Sequence, residues 1–372
     1  MRKTLAKTLI ITTLSAGIIA GLTWLFIALI PDPPLTEIEK ARDAIAKARD
    51  HNSVIYSARL FREARSYYDS AMISWKTENQ RFILFRDYER VRMFASISEK
   101  KALEATKKTI AKSNDLKATL SSEITRLNKE VKEFDKVFLS MPVPADMKKK
   151  HAKGKLLLRE AQIAYERGQY VTGNVKVNEA SDYIGDSYTY ARQKLSEYFR
   201  NYNRWQDWAK KTINESRDSG RYAIIVEKIP GVCHLYYQGK KKYSFEAEFG
   251  ENWMGDKVRR GDDATPEGRY IITKKLSNGS TKYHKALMLN YPNQQDLEEF
   301  NRKVQSGALP AGAKIGELIE IHGDGGRGGN WTEGCVALKN NDMDVLFQHV
   351  DSGTPVTIIG SSISLDQYIS TR

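Results

Sequence analysis

Residues 319–338 read Ile-Glu-Ile-His-Gly-Asp-Gly-Gly-Arg-Gly-Gly-Asn-Trp-Thr-Glu-Gly-Cys-Val-Ala-Leu, and this stretch decides how the C-terminal part of the chain is interpreted. A short β-branched run ends in His322-Gly323, a glycine-rich loop follows, and Gly334-Cys335 opens another apolar run. The pattern predicts a strand, a loop and a second apolar segment, with an imidazole and a thiol at opposite ends of one loop.

His322 and Cys335 suit a thiol nucleophile and its base. A free thiol has a pKa near ~8.5 and is mostly protonated at neutral pH, so a nucleophilic cysteine needs an imidazole to accept its proton. Gly323 and Gly334 allow tight turns, which lets main-chain N–H groups at 334 and 335 point at a developing oxyanion. A small buried thiol, a structural histidine and a flexible loop would give the same residues, so spacing alone leaves both interpretations open.

Three segments in this order resemble the L,D-transpeptidase (YkuD-type) catalytic domain family. They are Thr265-Pro-Glu-Gly268 within residues 261–270, the strand and turn of residues 286–293, and His322-Gly323 followed by Thr332-Glu-Gly-Cys-Val336. The resemblance covers about residues 221–360. It implies an enzyme that needs no cofactor and acts on peptidoglycan stem peptides.

Carried over residue by residue, the resemblance implies that Cys335 is the acyl-accepting thiolate and His322 its general base. Gly334 and Gly323 would belong to the oxyanion region, and Thr332 stands at the family's Ser/Thr position.

The sequence resembles a divergent branch of the family. Thr-Glu-Gly-Cys replaces Ser-His-Gly-Cys, so Glu333 stands at the usual His, and Ala337 stands at the usual Arg. These departures leave open how a substrate carboxylate is held and whether the acyl acceptor is an amine or water.

Other side chains near the motif are tentative substrate-binding residues. Arg327 could clamp a substrate carboxylate, because its guanidinium forms two parallel hydrogen bonds with such a group. Tyr283 and His284 precede the strand of residues 286–293 and could reach the pocket, although such residues are commonly half-buried packing residues. The spacing of His and carboxylate residues supports no metal site.

The chain has 372 residues, which indicates more than one domain. Its formal net charge of +13 indicates either an anionic partner or basic side chains on solvated helix faces. It carries no motif that reads nucleic acid. The cysteines are Cys233 and Cys335. Cys233 lies in the apolar run 232–237, so we interpret it as a strand residue and not as a disulfide partner.

The N-terminus predicts a membrane anchor. Residues 1–7 are basic, and Thr8–Ile30 carries no charged residue, which is long enough for a helix to span a ~30 Å hydrocarbon core. We expect an uncleaved single-pass anchor with the N-terminus in the cytoplasm and the rest of the chain outside, in the periplasm or on the wall side. Cleavage as a signal peptide is the alternative.

Residues 36–217 read as a helical domain with apolar residues at helical spacing. Breaks between long helices are predicted at Ser113-Asn-Asp115 and at Met141-Pro-Val-Pro144. A weak repeat relates Leu60-Phe-Arg-Glu-Ala64 to Leu157-Leu-Arg-Glu-Ala161. We expect the region to be a spacer or a docking surface for wall-enzyme protein partners; a plain helical bundle without ligands is the alternative.

The predicted fold class is α+β, with a β-rich C-terminal domain. Its predicted strands are 222–226, 232–237, 243–249, 270–273, 287–289, 317–321 and 356–359, and its predicted helices are 295–305 and 341–349. The predicted divisions of the chain are an anchor (1–30), a linker (31–35), a helical domain (36–217), a catalytic domain (221–360) and a tail (361–372).

The functional expectation is an L,D-transpeptidase that forms a cysteine acyl-enzyme on diaminopimelate-containing stem peptides. One alternative keeps the site but uses water, as an L,D-carboxypeptidase or an amidase that releases wall-attached protein. The other is a non-catalytic cell-wall-binding scaffold built on the helical region.

Overall fold

A computed structural model describes residues 2–371, with side chains described from residue 11 onward. Helix α1 spans Arg2–Ala28, and its segment Ile11–Ala28 is long and apolar enough to cross a membrane. The side chains of this segment are exposed. A signal sequence has the same length and apolar composition, so the helix is compatible with both an anchor and a leader.

The next helices are amphipathic and pack through small residues. They are α2 (Leu35–Asp50), α3 (Ser53–Tyr56), α4 (Ala58–Asn79) and α5 (Glu89–Glu133). Alanines are fully buried on α2, α4 and α5, and because they lack long side chains they let the helix backbones approach closely. The buried Ser98 hydroxyl donates a hydrogen bond to Ala64 O at 2.8 Å, which satisfies its polar group within this interface.

One predicted helix break is wrong and the other is confirmed. Ser113-Asn-Asp115 lies inside α5, which runs without interruption through these residues. Ser, Asn and Asp favour helix ends but cost only a few tenths of a kcal/mol inside a helix, roughly 0.7 at most, so packing of the flanking turns overrides them. Met141-Pro-Val-Pro144 separates a short π-helix, Phe134–Phe138, from α6 (Ala145–Glu166), since proline removes a backbone donor.

The chain divides into two compact units that interleave in sequence. The first contains residues up to 123 together with 161–175, and the second contains residues 124–160 and those from 176 onward. Helices α7 (Tyr170–Tyr198) and α8 (Tyr202–Ser219) follow α6. The predicted functional divisions of the chain stay a prediction, because these units describe packing only.

The C-terminal strands close into a barrel, and the α+β fold class is confirmed. Among the described residues the strand order is β1-β2-β3-β7-β6-β5-β4-β8. All seven predicted strands are present, the strand 232–237 with the predicted ends and the other six with shifted ends, and β7, which closes the ring between β3 and β6, was not predicted. The strands are β1 Tyr222–Glu227, β2 Val232–Tyr237, β3 Lys240–Glu248, β4 Gly268–Leu276, β5 Ala286–Leu289, β6 Glu320–His322, β7 Val336–Leu338 and β8 Pro355–Ile359; the helices are α9 Gln294–Gln305, α10 Asn340–His349 and α11 Leu365–Thr371.

Strand β1 is buried on both faces because α8 packs against β1 and β8. Trp205 of α8 is fully buried and lies against Gly360, where any side chain would collide with the indole ring. Its Nε1–H donates a hydrogen bond to Glu267 Oε2 at 2.8 Å, and the Tyr198 hydroxyl donates to Glu267 Oε1 at 2.7 Å. The helices that precede the barrel therefore fix the segment that leads into β4.

Candidate active site

The structure brings His322 and Cys335 to one face of the sheet. Strands β6 and β7 are parallel, with Ile321 beside Val336 and His322 beside Ala337. Cys335 directly precedes β7. Because side chains alternate between faces and paired residues share a face, Cys335 and His322 point to the same side, two residues apart along adjacent strands.

His322 is held as a neutral imidazole with an unused ring nitrogen. Its Nδ1 lies 2.6 Å from Gly323 O, and because a carbonyl can only accept, Nδ1 carries the hydrogen. Its Nε2 is buried and has no hydrogen-bond partner in the described structure. Burial lowers the pKa of His322 to about 4, so at neutral pH Nε2 presents a lone pair. The ring stacks on Tyr283 with centroids 3.5 Å apart.

Cys335 is a protonated thiol at rest. Its side chain is partly exposed, and Sγ donates a weak hydrogen bond to Leu318 O at 3.7 Å. Leu318 adopts a left-handed backbone conformation with φ +61°, which is uncommon for a leucine. Burial raises the pKa of the thiol to about 11, while a hydrogen bond from the Glu320 backbone and the charges of Lys282 and Lys257 act in the opposite direction. The proton is therefore still on sulfur.

A tight turn places Cys335 at the start of β7. The Thr332 hydroxyl donates to Cys335 O at 2.7 Å and accepts from the Gly334 N–H at 3.2 Å. Gly334 has φ +137°, and a Cβ there would lie 2.7 Å from Ala264 O, so only glycine fits. Thr332 thus braces the turn, and the Gly334 N–H can serve an oxyanion only by leaving the Thr332 hydroxyl.

Gly323 contributes its carbonyl to the site. Its N–H donates to Lys285 O at 3.0 Å, which leaves that N–H engaged, while its O orients the His322 ring. A Cβ at this position would lie 2.6 Å from Asn340 Oδ1. The glycine requirement here comes from close packing beside the base.

Residues of both signs of charge line a cleft of about 650 Å³ in front of Cys335. Tyr283, Thr332 and Glu333 are among the lining residues, in agreement with their proximity to the motif. The basic lining residues are Lys257, Arg260 and Lys282, and the acidic ones are Glu317, Glu320 and Glu333.

None of these three cations was among the site residues predicted from the sequence. Lys257 and Arg260 stand just before the Thr-Pro-Glu-Gly segment, and Lys282 is adjacent to Tyr283. Their closeness in sequence to these candidate positions is the signal by which they could have been found.

Arg327 and His284 do not line this cleft. The Arg327 guanidinium lies 3.4 Å from the centroid of the Trp331 ring, and its Nε donates to Asp324 O at 3.3 Å. His284 Nε2 lies 2.8 Å from Asp344 Oδ1, in an ion-pair cluster with Lys285. Substrate binding by these two residues stays a prediction that their positions do not favour. In the part of the chain that the structure describes, no group of three or more His, Cys, Asp or Glu side chains is arranged to hold a metal ion.

The family model of the L,D-transpeptidase catalytic domain (YkuD) matches residues 221–358, which include the barrel strands and the cleft. These residues belong to the L,D-transpeptidase catalytic domain family.

Among curated proteins, YafK of Escherichia coli (strain K12), described as a candidate L,D-transpeptidase, is similar to part of this chain. It is 30% identical over 97 residues, which are 26% of this chain and 32% of YafK. The chain therefore spans about a third of the length of the curated relatives that it matches.

Solved structures also match part of this chain. Bd1075 of Bdellovibrio bacteriovorus has 24% identity and a TM-score of 0.30, and the match covers 41% of this chain and 52% of Bd1075. The L,D-transpeptidase from Mycobacterium smegmatis has 12% identity and a TM-score of 0.25, and the match covers 37% of this chain and 58% of that chain.

Proposed function

We propose that the barrel is a peptidoglycan-modifying L,D-transpeptidase that forms an acyl-enzyme on Cys335. Membership of the domain family supports peptidoglycan modification in general. One observation supports an acyl-enzyme on Cys335 in particular. His322 is neutral, its buried Nε2 has no hydrogen-bond partner, and its side chain lies on the same face of the sheet as the Cys335 thiol. A buried nitrogen without a hydrogen-bond partner costs free energy. A catalytic role accounts for keeping such a group, because Nε2 is placed to accept the thiol proton.

The reaction starts when the Cys335 thiol turns from Leu318 O toward His322 Nε2, which takes its proton. Sγ then attacks the carbonyl of diaminopimelate in a stem tetrapeptide, and an S–C bond forms. When the tetrahedral intermediate collapses, the C–N bond to the terminal D-alanine breaks, and its amine leaves with the proton from His322. In the second half, an amine of another stem attacks the thioester. Its proton passes to His322 and then to the departing sulfur.

His322 holds the right form for both halves of this reaction. Its Nδ1–H is fixed by Gly323 O, so the ring cannot change tautomer without losing that bond. Tyr283 stacks on the ring and also lines the cleft, which positions the imidazole and shields it from water. Catalytic hydrogen bonds are often unmade in ligand-free enzymes and form when substrate binds.

A hydrolytic use of the same site is the second candidate. The observation that favours it is Glu333, which lines the cleft where the commonest relatives have His. A carboxylate there can orient water toward the thioester, which would give a carboxypeptidase, or an amidase that releases wall-attached protein.

We also propose that α1 anchors the chain in the cytoplasmic membrane, with the barrel on the outer side where peptidoglycan lies. The exposed apolar segment Ile11–Ala28 and the basic residues before it support this orientation. The helical region would then be a spacer or dock protein partners.

Product analysis of the full-length protein in detergent tests the function. The protein is incubated with a disaccharide tetrapeptide that carries diaminopimelate, and the products are separated by mass spectrometry. We expect released D-alanine and a cross-linked dimer, both absent with Cys335→Ala and reduced about 10²–10⁴-fold with His322→Gln. Tripeptide without dimer would favour hydrolysis. Turnover that survives Cys335→Ala would contradict the proposal, and a protein without turnover would favour the scaffold.

A further inference from the structure

A lysine outside the predicted motif is built into the wall of the cleft. Only 4% of the Lys257 side chain is exposed, and its Nζ lies 2.7 Å from Asp262 Oδ1. The same Nζ donates to the backbone oxygen of Glu333 at 3.3 Å. One ammonium group therefore joins the segment before β4 to the residue two positions before Cys335.

The partner of this lysine is itself rigidly held. Asp262 Oδ2 accepts the N–H groups of Val258 and Arg259 at 2.7 and 2.9 Å, and Oδ1 accepts the N–H of Ala264 at 3.2 Å. Burial raises the pKa of Asp262, but the hydrogen bond and charge of Lys257 and the N–H groups of Arg259 and Val258 lower it by more, so the carboxylate stays ionised. The Lys257 ammonium group is thereby held by a carboxylate that the backbone of residues 258–264 fixes in place.

The other end of the contact reaches the nucleophile turn. The point where a Cβ of Gly334 would stand lies 3.4 Å from Lys257 Nζ and 2.7 Å from Ala264 O, so loop 257–264 packs directly on the Gly334 backbone. An ammonium group has three N–H donors. Two of these donors bind Asp262 and Glu333, and among the described contacts the third has no acceptor. Lys257 lines the same cleft as Cys335.

We propose that Lys257 is a positioning residue that holds the Glu333–Gly334–Cys335 backbone against the cleft wall and places a nearly buried positive charge beside the reacting sulfur. The inference rests on the proposed function and adds to it a residue that acts on the nucleophile. A fixed cation in a poorly hydrated cleft favours the thiolate and the oxyanion over the neutral thiol and carbonyl.

Lys257 differs from the other cations of the cleft in how it is held. Arg260 is exposed, so its charge is screened by water. Lys282 also lowers the pKa of Cys335 by its charge, but its Nζ lies 5.0 Å from the centroid of the Tyr283 ring, which stacks on His322. Arg260→Met is therefore a matched control, because this substitution removes one positive charge from the same cleft at a residue outside the nucleophile turn.

The test measures the thiol directly, without turnover. Full-length protein is alkylated with iodoacetamide between pH 6 and pH 10, and modification of the Cys335 peptide is followed by mass spectrometry. The thiolate displaces iodide, so the rate follows the thiolate fraction. Cys233 does not compete, because it is fully buried and burial raises its pKa to about 12. We expect Lys257→Met to lower the rate at pH 8 about tenfold, which corresponds to one pKa unit.

Three companion variants make the outcome decisive. Lys257→Arg keeps the charge and should recover most of the rate, Arg260→Met should leave it unchanged, and Lys257→Gln keeps a donor without charge and should behave like Lys257→Met. An unchanged rate in folded Lys257→Met or Lys257→Gln would overturn the inference, as would an equal loss in Arg260→Met.

Failure of the proposed function gives a different result. If the wild-type protein transfers no acyl group but the lysine variants still slow alkylation, the function is wrong and the placement of charge stands. If the wild type transfers acyl groups and the lysine variants keep both its kcat and its alkylation profile, only the inference is wrong.

Discussion

Two lysine–carboxylate pairs in the barrel unit have the same chemistry and different surroundings. Lys228 and Glu267 are both completely buried, and their Nζ–Oε1 distance is 2.7 Å. Lys228 also donates to Gly255 O and to Thr265 O, so all three of its donors are used inside the protein. Lys257 and Asp262 form an equally short pair, but Lys257 keeps one donor and lines the cleft. The first pair can only hold structure, whereas the second can also act on a reacting group.

The comparison separates structural from functional charge within one segment. Glu267 and Asp262 both lie between β3 and β4, and each fixes part of the loop that faces the nucleophile turn. A buried pair contributes little net stability, yet breaking it is costly because one charge is left without a partner. We therefore expect the two lysines to differ in which property their loss affects.

The largest expected effect is on folding. Lys228→Met should lower the free energy of unfolding by about 3–5 kcal/mol, because it leaves the Glu267 carboxylate buried without its cation. Denaturant unfolding of the full-length protein measures this. The double variant Lys228→Met with Glu267→Gln should lose less than the single variant, since no unpaired charge remains. A single variant as stable as the wild type would remove the distinction between the two pairs.

The next effect is on activity. Lys257→Met should lower kcat about tenfold while costing only about 1–2 kcal/mol of stability, because its carboxylate partner keeps three backbone donors and reaches some solvent. Steady-state kinetics and denaturant unfolding on the same preparations give the two values. A stability loss as large as that of Lys228→Met, with kcat reduced only in proportion to the folded fraction, would make both lysines structural.

A smaller effect is the pH dependence of stability that arises from Asp256, a neighbour of the buried Lys228–Glu267 pair. Burial, and then the charge of Glu267, raise the pKa of Asp256 to about 7. A carboxyl group with a raised native pKa stabilises the fold below its unfolded pKa, and this contribution is lost as the pH rises through the native pKa. Asp256→Asn should therefore match the wild type near pH 4 and be more stable than it at pH 8, by on the order of 1 kcal/mol. Thermal unfolding at both pH values measures the difference, and an equal difference at both would show that Asp256 does not titrate in this range.

The smallest expected effect distinguishes the base from the lysine. No hydrogen bond joins His322 Nε2 to the Cys335 sulfur at rest. His322→Gln should therefore leave the alkylation profile of Cys335 within about twofold of the wild type, although it abolishes most turnover. A strong loss of alkylation at neutral pH would mean that a thiolate–imidazolium pair already exists before substrate binds.

Much of the fold could be predicted from the sequence because the barrel strands are apolar runs bounded by Gly, Asn and Lys. Strand β7 was missed because it has only three residues, and its pairing with β3 joins distant parts of the chain. The wrong break at Ser113-Asn-Asp115 has the opposite origin, since a local preference for helix ends was outweighed by packing in α5.

The candidate site divides in the same way. His322 and Cys335 could be paired from the sequence because one loop joins their strands. The Lys257 contact links residues 76 positions apart, and such contacts arise only on folding, so one sequence does not reveal them. Arg327 was a candidate for its charge in the glycine-rich loop, but stacking on Trp331 holds it outside the cleft. The N–H of Gly334, predicted to face an oxyanion together with that of Cys335, donates to the Thr332 hydroxyl, and the oxyanion role stays a prediction.

The most direct test of the central proposal is intact-mass analysis of the full-length protein after brief incubation with the diaminopimelate tetrapeptide substrate, with Cys335→Ala in parallel. We expect a covalent adduct on the wild type, with the mass of the substrate less D-alanine, and no adduct on the variant. D-alanine release that continues with Cys335→Ala, or the same adduct on Cys335→Ala, would contradict acyl transfer through Cys335.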